Sequence, residues 1–170
     1  AIAVTLLVSS LKVPQIPPAD VHLILPEQIK AMLPHFTTYV TTFLLVAIYW
    51  TFHHRVLNLV THIDNRFMWM NICYLLMISF MPFPSALFGT YPGEIFSFFF
   101  YVGCMIIVGI LSALMLWYAI HNHRLVGKDL SKPVIKYLFF RILASVVIFL
   151  LSLPLSIYQL RIAQYSLFIL

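Results

Sequence analysis

Charge is what this sequence has least of. Its 170 residues include 10 Lys and Arg and 5 Asp and Glu, so 9% of the chain is charged. An ordinary soluble domain carries roughly 25%. So few charged side chains cannot clothe a globule of this size in a solvated surface. A soluble enzyme, a disordered tail and a free nucleic-acid binder are excluded on that ground. Cysteine is scarce too. Cys73 and Cys104 form no CxxC motif and fall inside apolar runs, so they read as small buried apolar residues rather than a disulfide framework. The apolar runs lack the polar/apolar alternation of a membrane barrel. No linker or long low-complexity segment divides the chain, and residues 1–170 read as one transmembrane domain.

What the sequence does have is hydrophobicity, at 62% of residues. A spanning helix needs about 20 largely apolar residues, so there is room for about six. The fold class is an all-α integral membrane protein of six transmembrane helices. Gaps between charges place them near 1–11, 31–55, 66–88, 94–121, 133–153 and 155–170. The first and last read as truncated, residues 1–11 being the outer half of a helix that starts upstream. Prolines punctuate the rest. Pro14, Pro17, Pro18 and Pro26 make 12–30 a loop that ends in a short surface helix. Pro34 suits a first turn, Pro82 and Pro84 close the third span, Pro133 opens the fifth, and Pro154 marks a tight link into the sixth.

The few charges orient the chain. Arg55 and Arg66 lie in the 53–66 loop, and Arg124, Lys128, Lys132 and Lys136 in the 121–136 loop. The opposite loops hold Lys12 and Lys30 with Asp20, Glu27 and Glu94. The positive-inside rule makes the N-terminus and the two basic loops cytosolic. Trp50, Trp69 and Trp117 fall near that face, as an interfacial belt would.

Four features could carry chemistry. His53, His54, His62, His121 and His123 gather at the inner face. Neighbours such as His53 and His54 point about 100° apart on a helix and do not share a metal easily. No carboxylate-rich set accompanies them, so no metal site is assigned. Arg141 and Arg161 interrupt the last two spans, as structural pairs or as functional charges. No Asp or Glu lies deep in any visible span, which weighs against a proton-coupled carrier. Thr37 with Thr41, Thr38 with Thr42, and Gly109 with Ala113 repeat at i,i+4 and suggest close helix packing. Finally, Ile2, Thr5 and Ser9 share one face of the first run, with Leu6 beside it. A channel, a small secondary transporter and a His-dependent membrane metalloenzyme all stay open at this level.

The string AIAVTLLVSSLKVP resembles the stretch that follows the Arg-x-x-x-Phe-Ser-Asp signature in the first helix of the transmembrane protein 175 potassium-channel family. YWTFHHR at 49–55 is similar to that family's inner end of helix 2. Asn71 and PFPSAL at 82–87 resemble its third helix and exit. The resemblance implies a homotetramer of six-helix subunits in a plasma membrane, with helix 1 lining a central potassium-selective pore. Ile2 would match its narrow aliphatic layer and Thr5 a hydroxyl layer one turn outward, with Leu6 and Ser9 next. Trp50, His53, His54 and Asn71 would brace helix 1 without touching the ion. No enzyme activity and no cofactor besides permeant potassium follow from it.

Overall fold

The computed structural model describes residues 21–121, 125–126 and 132–158, with Val8, Val13, Gln15 and Pro17 as isolated positions. Six helices occupy these residues: α1 (Val21–Ala31), α2 (Leu33–Leu59), α3 (Asn65–Phe80), α4 (Pro82–Thr90), α5 (Ile95–Ile120) and α6 (Lys132–Tyr158). By length and apolarity, Asn65–Thr90, Ile95–Ile120 and Ile135–Ser156 can each cross a membrane, and α1 with α2 makes a bent fourth candidate. The chain is a multi-pass membrane protein.

Proline decides where helices break, though not always as expected. α1 meets α2 at Met32 with a bend of 41°. Pro34 lies just beyond and has no N–H for the carbonyl of Lys30. Pro82 and Pro84 were expected to close the third span. Instead the backbone breaks only at Met81, where Met81 N–H donates to the Ile78 carbonyl at 3.3 Å, and α4 starts at Pro82. A proline in the first turn is pre-set for a helix and its missing N–H is not needed there. Pro154 was expected to separate the fifth helix from the sixth, yet α6 runs through it to Tyr158. Neighbouring groups can satisfy a proline-broken ladder in a membrane helix. The carbonyl that loses its donor at Pro154 is that of Leu150, whereas Ser152 and Ser156 donate to the carbonyls of Phe149 and Leu153, each at 2.7 Å.

α5 is the central element and packs against α2, α3, α4 and α6. Phe98, Tyr101, Met105, Val108 and Leu116 on it are fully buried. Gly109 lets α6 and α2 approach. A Cβ there would stand 2.5 Å from Val146 Cγ2 and 3.1 Å from Tyr49 Oη. The expected small-residue contact is therefore real, and Gly109 is where it is tightest. Cys104 is buried as expected, whereas Cys73 is exposed on α3. α3 begins at an N-cap, Asp64, which accepts from Phe67 N–H at 2.8 Å and from the Tyr118 hydroxyl. Thr61 N–H donates to Leu125 O at 2.8 Å, and Val60 bridges Val126. Residues 60–61 and 125–126 therefore meet at one end of the bundle.

Replacing Gly109 with Ala is expected to destabilise the fold by about 1–3 kcal/mol, the usual cost of overpacking a tight core. Thermal unfolding in detergent measures it, and Val146→Ala added to Gly109→Ala should recover part of the loss.

Candidate functional site

One face of α2 carries the polar groups that meet its neighbours. Thr37, Thr38 and Thr41 turn their hydroxyls back to carbonyls four residues earlier on their own helix, each at 2.8 Å. Thr42 also bonds outward. It lies 3.0 Å from Ser85 Oγ on α4 and 2.9 Å from Tyr101 Oη on α5. Two turns on, Tyr49 donates to the carbonyl of Met105 at 3.2 Å, and Tyr74 of α3 donates to the carbonyl of Tyr49 at 3.0 Å. His53 completes the row. Its Nε2 donates to Asn71 Oδ1 at 2.7 Å, and its ring stacks on Tyr74 at 4.5 Å with 4° between planes.

The residues expected to act as one brace therefore divide into two pairs. His53 and Asn71 meet between α2 and α3. Trp50 and His54 sit outside and stack on each other at 5.5 Å, one turn apart. His54 Nε2 also lies 3.2 Å from Asn58 Nδ2. Trp50 is 58% exposed. Adjacent helical positions point about 100° apart, so His53 and His54 take different directions. Tyr74 and Tyr49 were not singled out from sequence. Their only signal was a phenol inside an apolar run, which has to find a partner once it is buried.

Between α2 and α3 the backbones stand apart and long side chains bridge the space. An open groove of about 740 Å³ results, lined by Trp50, His53, His54 and Leu57 on one wall and Tyr74 and Leu75 among others on the second. No group of three His, Cys, Asp or Glu side chains able to hold a metal occurs among the described residues. Ile2, Thr5, Leu6 and Ser9, the expected pore residues, lie outside the described residues, as do His123, Arg124, Lys128 and Arg161.

Residues 1–82 match the family described as Endosomal/lysosomal potassium channel TMEM175. The matched region is 82 of the chain's 170 residues, and over it the chain resembles that family. A potassium channel of Chamaesiphon minutus is 35% identical over 96 residues, 54% of this chain and 44% of that protein. A potassium channel of Streptomyces collinus is 35% identical over 94 residues, 55% of this chain and 44% of that protein. The endosomal/lysosomal proton channel TMEM175 of Homo sapiens is 26% identical over 119 residues, 70% of this chain and 24% of that protein. The chain thus spans less than half the length of these relatives. The crystal structure of a lysosomal potassium-selective channel TMEM175 homolog from Chamaesiphon minutus superimposes with a TM-score of 0.84. It is 24% identical and covers 99% of this chain and 86% of its own, so the two share a fold. The TMEM175 family and these relatives are ion channels, not enzymes.

Asn71→Leu is expected to cost about 1–2 kcal/mol, because it leaves the His53 N–H without its acceptor. Adding His53→Phe should return part of that stability, since both polar partners are then gone. Unfolding in detergent of the two variants checks the pair.

Proposed function

We propose that this chain is the subunit of a passive potassium-selective channel, assembled as a homotetramer around a pore lined by its amino-terminal run. The observation that carries this is the family match over residues 1–82, which takes in both that run and the α2–α3 groove. The bacterial relatives, named potassium channels, are 35% identical. In this mechanism Ile2 forms the narrow layer and Thr5 the hydroxyl layer, followed by Leu6 and Ser9. A ring of branched side chains closes a pore by dewetting. Threonine hydroxyls replace part of an ion's water shell at lower cost for potassium, which holds that shell less tightly than sodium. The mechanism uses no carbonyl filter and no cofactor beyond the permeant ion.

Trp50, His53, His54 and Asn71 act as bracing residues. An open groove lined by the stacked Trp50–His54 pair and by His53, which Asn71 holds, suits an adjoining helix with polar groups of its own. Following the positive-inside rule, the N-terminus and the 53–66 and 121–136 loops face the cytosol, and the membrane is the plasma membrane.

A second reading, proton conduction, is favoured by the vertebrate relatives, which are named proton channels. Their identities, 26% for both the zebrafish and human proteins, are lower than the bacterial ones. Helices α2 to α6 also carry no Asp or Glu to relay a proton.

Flux into proteoliposomes decides between these. Purified protein should pass potassium faster than sodium, without ATP or a proton gradient. Ile2→Asn should raise sodium leak on the order of tenfold, equivalent to about 1.4 kcal/mol of barrier. Unchanged flux in that variant would remove Ile2 from the constriction. Flux that follows the proton gradient alone would favour the second reading, and saturable coupled uptake would indicate a carrier.

A further inference from the structure

Arg141 is out of place in an apolar helix, and its surroundings give it a use. It lies six residues inside the Ile135–Ser156 span. Helical side chains lean toward the helix N-terminus, which carries its guanidinium back toward the basic end of the bundle. There Nη1 donates to the Tyr137 hydroxyl at 2.6 Å. The Phe52 ring supports the guanidinium from α2 at 5.4 Å.

Arg55 arrives from the opposite direction. It sits one turn before the end of α2, on the side where α2 faces Tyr137. With Asn58, Leu59, Tyr137 and Leu138 it lines a recess of about 290 Å³. Arg55 thus shares a recess with the phenol that Arg141 bonds, and Arg55, Tyr137 and Arg141 are all exposed. Among the described residues no carboxylate pairs with either arginine. Asp64, the nearest acidic residue in sequence to Arg55, is engaged with Phe67 N–H and Tyr118. Like charges brought together at a membrane surface repel unless an anion lies between them.

We propose that Arg55, Tyr137 and Arg141 bind the phosphate of an anionic lipid headgroup. Guanidinium forks match phosphate oxygens two at a time. A phenol that accepts from Arg141 still has its own O–H to donate to a phosphate oxygen. The depth suits a lipid, because basic pockets between helices near the membrane surface hold headgroups. The helix face suits one as well. Ala144, Ile148 and Leu151 follow Arg141 at spacings of three, seven and ten, forming an apolar lane toward the bilayer centre for an acyl chain. Free phosphate would have no use for that lane.

Native mass spectrometry of the intact oligomer, titrated with phosphatidylglycerol or phosphatidylcholine, tests this. Phosphatidylglycerol should bind more tightly. Arg55→Gln or Arg141→Gln should weaken it roughly fivefold, and the double variant roughly thirtyfold, while phosphatidylcholine binding stays unchanged. Arg66→Gln removes the same charge at the same end and should leave phosphatidylglycerol binding intact. Equal losses in Arg66→Gln and Arg55→Gln would overturn the site in favour of diffuse charge. Inorganic phosphate displacing the lipid at equal concentration would overturn the lipid as ligand. Should Arg141→Gln fail to fold, Arg55→Lys serves. It keeps the charge and loses the fork, so undiminished binding there overturns the proposal.

Discussion

A polar group turned toward the middle of a membrane bundle has to find its partner inside the protein, because hydrocarbon supplies none. α2 meets that constraint with one stripe. Thr42, Tyr49 and His53 are spaced by seven and four residues, so they lie on the same helical face. Together they engage three neighbouring helices. Thr42 reaches α4 and α5, Tyr49 reaches α5, and His53 reaches α3. The hydroxyl of Tyr74 returns the bond by donating to the carbonyl of Tyr49. The helix that borders the groove is therefore also the one that the other helices hold.

This arrangement accounts for the groove itself. α2 and α3 are joined by side chains rather than by close backbone packing. His53, Asn71 and Tyr74 span the gap like struts, and the space between them stays open. Toward α5 the contact is the reverse. Gly109 removes a side chain so that Tyr49 and Val146 press against α5. One flank of α2 is closed by the absence of a side chain and the other is propped open by large ones. A helix held in this way is a fixed wall against which a pore-lining run can be positioned.

Much of this was legible in the sequence, and the remainder has physical reasons. Long uncharged runs located the helices around Tyr49, Tyr101 and Ser145, because runs of that length without charge are stable as helices in lipid and not at a water-facing surface. Pro34 marked a helix start correctly. Pro82 stands where α3 gives way to α4, whereas Pro154 does not break α6, because a proline's effect depends on where its missing N–H falls in the helix. The threonine repeats signalled packing, but only Thr42 of the four bonds across helices. Nothing in their spacing distinguishes it, because the choice is made by Ser85 and Tyr101. Trp50, His53, His54 and Asn71 were expected to act as one set. Their division into a His53–Asn71 pair and a Trp50–His54 pair depends on where α3 runs relative to α2.

A double-mutant cycle between Thr42→Val and Tyr101→Phe tests the hydroxyl stripe most directly. Unfolding free energies of the two single variants and the double variant would be measured in the same detergent or lipid. If the bond ties α2 to α5, the coupling energy is favourable and on the order of 0.6 kcal/mol, as for other interhelical hydrogen bonds in membranes. A coupling of zero, with the two losses simply adding, would contradict it.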